Sequence, residues 1–148
     1  TVERFGYVSR LDNLQAAILN FRVKNLKTVI KKRRENAQYY FKNILQDKVF
    51  INEEKKEEFN TYHLFVIQTH LRDKLKNFLS KNNIDTGIHY PRPIHLQPAA
   101  KFLKYKKGDF PVAEKQAKEI LSLPINQSLS INNLKRISNL INSFQAQN

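Results

Sequence analysis

Between Arg10 and Leu45 the sequence contains neither a proline nor a glycine. Across that span Leu11, Leu14, Ile18, Phe21, Leu26, Ile30, Ala37, Tyr40 and Ile44 recur mostly at three- to four-residue steps, with a looser interval after Phe21. That spacing places them on one stripe of a helix. One long helix, or two nearly collinear ones, is therefore predicted here. Asp12 falls in its first turn, where a carboxylate favours the positive end of the helix dipole. Lys31, Lys32, Arg33 and Arg34 form a basic band across its middle. One small core cannot cover a helix this long, so it should bridge subdomains or pack against a partner.

The pattern then changes several times. Residues 47–60 are highly charged, with Glu53, Glu54, Glu57 and Glu58 around Lys55 and Lys56, which reads as a surface connection. The stretch Thr61 to Thr69 is aromatic and β-branched and predicts a strand with His63 inside it. Leu75, Phe78 and Leu79 restore helical spacing between Leu71 and Asn82. Ile84 to Tyr90 is short enough for a second strand, ended by Pro91 and Pro93. Pro111 can open a helix at its first turn, continued by Val112, Ala113, Ala117 and Ile120. Leu121 to Ile125 is a short strand candidate ended by Pro124. Ser130 is an N-cap candidate for a last helix, whose apolar face is Leu134, Ile137, Leu140, Ile141 and Phe144. The sum is an α+β chain: a long N-terminal helix, then a small antiparallel or mixed sheet with helices packed on it.

Composition narrows the function classes. At 148 residues the chain has the size of one ordinary domain. No run approaches the ~18 to 20 apolar residues of a membrane span, and no charged-then-apolar leader is recognisable. The absence of cysteine removes disulfides, thiolate catalysis and Cys-ligated zinc together, which fits a cytoplasmic protein. The formal charge of +13, from 26 Lys and Arg against 13 Asp and Glu, would attract nucleic acid, an anionic membrane or a phosphorylated small substrate. Methionine is also absent, which removal of an initiator or a cut from a longer protein explains equally well.

The residues able to carry chemistry are concentrated in one place. His89-Tyr90-Pro91-Arg92-Pro93-Ile94-His95-Leu96-Gln97 gathers imidazoles, a phenol, a guanidinium and an amide at a strand end. Loops with such groups bind ligands, although a proline-stiffened connector with solvated side chains is the competing reading. No metal site is expected, because the four histidines lack cysteine partners and helical pairing. Gly6, Gly87 and Gly108 are isolated, so no phosphate-cradling glycine loop is present. A rival reading makes the chain a basic nucleic-acid or protein-binding module, with Tyr39, Tyr40 and Tyr105 near its cations. No helix-turn-helix, zinc-finger or RNA-stacking motif accompanies them.

Five blocks in order and spacing decide between these readings. They are Gly6 to Leu19, Tyr62 to Ile67, Asn83 to Thr86 leading into His89 to Gln97, Phe110 to Glu114, and Leu121 to Ile125. In these blocks the chain resembles the DegT/DnrJ/EryC1/StrS family of sugar aminotransferases, which depend on pyridoxal phosphate (PLP) and have the fold type I architecture. The resemblance implies the C-terminal small domain of such an enzyme. Residues 1–46 would be the helix linking to a PLP-binding large domain upstream, and 47–148 the small α+β domain. The family's Schiff-base lysine motif has no counterpart here, so this chain alone should be inactive and hold no covalent PLP. The resemblance also implies a homodimer in which Arg10 and Ser9 approach the cofactor phosphate of the neighbouring subunit. Val8 stands where the family has an asparagine, and valine cannot donate a hydrogen bond to phosphate. His89 and Tyr90, with His95, are implied as contacts to a nucleotide-linked sugar. No nucleic-acid or membrane partner is expected on this reading.

Overall fold

The computed structural model describes residues 11–147. The predicted N-terminal helix is two helices, α1 (Asn13–Val23) and α2 (Leu26–Asn43), joined through a turn at Lys24 and Asn25. Asp12 is the N-cap of α1, its carbonyl accepting from Ala16 N at 2.9 Å, while its side chain caps nothing. No residue of α1 is buried, and Leu14, Phe21 and Val23 are 72%, 68% and 62% exposed. The apolar stripe meets a core only from the middle of α2 onward, where Ala37 and Tyr40, with Ile44 just beyond, are buried.

A three-stranded antiparallel sheet follows, in the order β1 (Phe50–Ile51), β2 (Phe65–Gln68), β3 (Ile120–Leu123). The strand pairs Phe65 with Leu123 and Ile67 with Leu121, and on its other edge Ile67 with Ile51. Phe65 and Ile67 alternate inward as a half-buried strand requires. Three helices complete the fold: α3 (Arg72–Lys81), α4 (Pro111–Glu119) and α5 (Ile131–Gln147). Leu75 and Leu79 of α3 join Leu134, Ile137, Ile141 and Phe144 of α5 in one core with the strand residues. Tyr40 is fully buried and donates its hydroxyl to the Pro124 carbonyl at 2.9 Å, so the phenol carries no unmet polar group into that core. Just past the same C-terminal end of α2, buried Gln145 accepts from Lys48 N and donates to Leu45 O, each at 2.8 Å.

Several expectations need correction. The charged stretch after residue 46 contains β1, with Val49 and Ile51 buried, because a two-residue strand leaves no periodicity to detect. His63 precedes β2 rather than lying within it; its side chain is exposed and its carbonyl accepts from Arg33 Nη1 at 3.0 Å. Ile84 to Tyr90 forms no strand and meets the sheet in a single bridge, Gly87 to Ser122. By contrast Ser130 Oγ does accept from Asn133 N at 3.2 Å at the start of α5.

The connection from β1 to β2 is fastened to α2 by a charged clasp. Arg34 grips Glu54 with both guanidinium nitrogens, at 2.8 and 2.9 Å, and also donates to Asn60 O at 2.6 Å. Asn60 N returns to the same carboxylate. The Arg34 hydrogen bonds, and then the Asn60 N–H, hold the Glu54 carboxyl below the usual carboxylate range. A carboxyl lowered in the folded state stabilises above its unfolded pKa and ceases to do so as pH falls through its folded value. Glu54→Gln should therefore lower the thermal midpoint at neutral pH, and the gap to wild type should close as acidification carries the solution below the ordinary carboxylate range. Thermal melts of both proteins across the acid range test this: no gap, or a gap that does not change with pH, would show that the Glu54 charge contributes nothing.

Candidate functional site

The loop that sequence reading singled out leaves the free edge of β3. Gly87 N donates to Ser122 O at 3.1 Å and Ser122 N to Gly87 O at 2.7 Å, so the loop starts from a fixed point on the sheet. Ser122 is buried, and its hydroxyl lies 3.0 Å from His89 Nδ1. A methyl group on Gly87 would stand 2.6 Å from His89 Cε1, closer than such atoms approach. Glycine is thus what lets the imidazole lie back over the bridge and meet Ser122. His89 itself remains exposed at the edge of a depression of about 400 Å³ that also takes in Arg33, Asp85 and Thr86.

Tyr90, next in sequence, belongs to a second depression of about 470 Å³. Its walls include Tyr90, Ile94, Leu103, Tyr105 and Phe110, with Arg92, His95 and Gln116 as polar members. Tyr90 and Ile94 are 75% and 83% exposed. The loop runs through 3₁₀ turns at Ile94–Leu96 and Pro98–Leu103, and Gln97 Nε2 ties it back to Arg92 O at 3.1 Å.

His95 is the buried member of the site, with a side chain only 8% exposed. Its ring packs against Phe110 at 4.8 Å between centroids, and Phe110 meets Tyr105 edge-on at 5.0 Å. His95 Nε2 lies 3.0 Å from Glu114 Oε1, and Gly108 N donates to the same oxygen at 2.7 Å. Pro111, preset for a first helical turn, starts α4 so that Glu114 sits beside both partners. The Gly108 N–H, and then His95, hold the Glu114 carboxyl below its ordinary value. Gly108 takes φ +100°, which a side chain would strain. Beside this pocket Lys101, Lys104, Lys106 and Lys107 are all exposed.

Chemically, the second depression offers aromatic faces for a planar ring, and Arg92 and the neighbouring lysines offer cations for phosphate. His89 and Tyr90 offer ring and hydroxyl hydrogen bonds at the boundary between the two depressions. The structure therefore brings Tyr90 and His95 to one cavity and puts His89 in the next. Ser9 and Arg10 lie outside the described residues. Sequence reading gave no role to Ser122, Glu114 or Gly87. A serine flanked by Leu121 and Leu123 on an otherwise apolar strand, and an acid three residues after a helix-opening proline, were the available signals. Among the described residues no three His, Asp or Glu converge as a metal site would require.

Comparison with known proteins places these features in a group. The model of the DegT/DnrJ/EryC1/StrS aminotransferase family matches residues 1–142. The chain is 34% identical over 139 residues to a dTDP-3-amino-3,6-dideoxy-alpha-D-galactopyranose transaminase of Aneurinibacillus thermoaerophilus, covering 94% of this chain and 38% of that protein. It is 41% identical over 123 residues to a pleiotropic regulatory protein of Geobacillus stearothermophilus, covering 81% of this chain and 33% of that one. Among solved structures, S. venezuelae DesV in complex with a ketimine intermediate superposes with a TM-score of 0.89 at 32% identity, over 96% of this chain and 38% of that one. The chain thus spans 33% to 38% of the length of these relatives.

Proposed function

Because the chain belongs to the DegT/DnrJ/EryC1/StrS aminotransferase family, we propose that it supplies the sugar-nucleotide side of a longer, PLP-dependent enzyme. That enzyme would move an amino group, with glutamate as donor, onto a keto sugar carried by a nucleoside diphosphate. The product class would be amino sugars for a surface polysaccharide or related glycan. The observation that carries the reading is the pocket of Tyr90, His95, Tyr105 and Phe110 bordered by Arg92 and a lysine-rich turn. Such a pocket suits a flat base joined to phosphates. Relatives named for transamination of a dTDP-linked sugar and of a UDP-linked sugar support it.

The cofactor does not fit the described residues as a covalent partner. Desolvation in an apolar pocket is one way a Schiff-base lysine becomes nucleophilic near neutral pH. No lysine among the described residues is buried. We therefore assign the lysine, and the larger part of the PLP site, to the remaining length that the relatives have and this chain does not span. When bound there, PLP supplies the electron sink for amino transfer. The present residues bind and orient: Tyr90 and His95 at the nucleotide, His89 at the sugar side. On this reading residues 1–46 lead toward the large domain, 47–148 form the small domain, and the enzyme is a cytoplasmic homodimer. Ser9 and Arg10 would reach the neighbouring subunit's cofactor phosphate.

The test is kinetic. The full-length protein should aminate dTDP- or UDP-linked keto sugars in a glutamate-dependent reaction followed by mass spectrometry. In it, His89→Ala should raise KM for the sugar nucleotide about tenfold, while kcat holds within about threefold and the cofactor absorbance is unchanged. A fall in kcat as well would mean that His89 meets charge that develops in the transition state. Normal kcat and KM, or a lowered melting temperature alone, would make His89 a structural histidine fastened to Ser122.

A further inference from the structure

We propose that Glu114 is a positioning residue: one carboxylate oxygen clamps the His95 imidazole and the lysine-rich turn at 104–109 together, and so sets the width of the aromatic pocket. The nature of the ligand rests on the function proposed above; the clamp itself does not. Glu114 Oε1 is shared between His95 Nε2 at 3.0 Å and Gly108 N at 2.7 Å. Those two partners come from separate stretches of chain around the pocket. His95 carries the side formed by Tyr90 and Ile94, and Gly108 carries the turn that ends in Phe110 and includes Tyr105.

Little else holds that turn. Lys106 N donates to Asp109 Oδ2 at 2.7 Å and Asp109 N to Lys106 O at 3.2 Å, both within the turn itself. Lys104 N bonds only three residues back, to Lys101 O. Every residue from Lys101 to Phe110 is exposed, and Lys104, Lys106 and Lys107 repel one another. Ring contacts of Phe110 with His95 and Tyr105 hold the pocket's interior without binding the backbone of 106–109. The Glu114 side chain, 12% exposed, is thus the joint between the helix, the histidine and the cationic turn. Closing the turn on this joint brings its lysines beside the apolar pocket, where a diphosphate joined to a base would need them.

The experiment uses the full-length protein and two substitutions, Glu114→Ala and Glu114→Gln. Hydrogen exchange across 104–110 should be about tenfold faster in the alanine variant, with the rest of the protein and the melting temperature little changed. Affinity for dTDP or UDP, whichever the wild type binds, should fall about tenfold in parallel, because the turn must then be ordered on binding. Glutamine keeps an acceptor oxygen for Gly108 N, so it should restore both readouts to within about threefold of wild type. Unchanged exchange in Glu114→Ala would overturn the clamp. So would faster exchange with unchanged affinity for a nucleotide that the wild type binds, or protection lost throughout the protein. A wild type that binds neither nucleotide, with the turn loosened in Glu114→Ala, would uphold the clamp and sink the sugar-nucleotide reading instead.

Discussion

Ile67→Ala is expected to destabilise the chain by about 2–5 kcal/mol, the range for truncating a fully buried aliphatic side chain. Ile67 is 0% exposed and sits on the middle strand of the sheet, opposite Ile51 on one side and Leu121 on the other. Its neighbours on both edges are themselves buried strand residues, so the backbone cannot collapse inward to refill the space. The transfer cost of the lost methylenes and the cost of a residual cavity should therefore both appear. Ile67→Val, which removes one methylene, should cost only about 0.5–1.5 kcal/mol. Equilibrium urea unfolding of wild type and both variants measures the series. A loss below about 1 kcal/mol for alanine would mean that the sheet centre repacks, contrary to the close-packed core described here.

Arg10→Ala should weaken retention of PLP in the full-length enzyme by about ten- to a hundredfold, the equivalent of a charge-assisted phosphate contact of roughly 1.5–3 kcal/mol. The motive is the resemblance of Gly6 to Arg10 to the family segment that reaches across to the neighbouring subunit's cofactor. Val8 in place of the family's asparagine removes one donor from that segment. On the proposed reading, more of the contact would then fall to Arg10 and Ser9. Cofactor dissociation from the purified full-length protein, followed by absorbance, reads the effect, and Arg10→Lys should recover only part because it lacks the bidentate fork. Unchanged retention in Arg10→Ala would give Arg10 a structural role.

What could be read from sequence divides by how local the cause is. Helix α5 was legible because Ser130 caps it and Leu134, Ile137, Ile141 and Phe144 repeat along one face, all within a few residues of one another. The opening of α4 was legible because Pro111 fixes its own backbone. The segment Ile84 to Tyr90 misled because strand formation depends on a distant partner, and only Gly87 finds one. Strand β1 hid among glutamates and lysines because two residues suffice when β2 is already there to pair with. The candidate site shows the same split. Clustering of polar groups between His89 and Gln97 was visible, and both histidines do occupy depressions. Their separation into different depressions was not visible, nor were Ser122 and Glu114 as their partners, because those contacts cross 33 and 19 residues of chain.

The bare apolar surface of α1 bears on how this stretch of sequence should tolerate change. With Leu14, Ile18, Phe21 and Val23 at least half exposed, their size and shape answer to little within the described residues. Polar replacements there should be neutral, or even improve solubility, in any assay of this chain alone. If another surface closes over α1 in the longer enzyme proposed above, those same replacements become harmful. A mutational scan of this chain alone would then rank as dispensable the positions on which that proposed enzyme depends. Positions such as Ile67 and Leu121, which face inward already, should score alike in both settings. Fitness maps from the two backgrounds should diverge at α1 and coincide at the sheet.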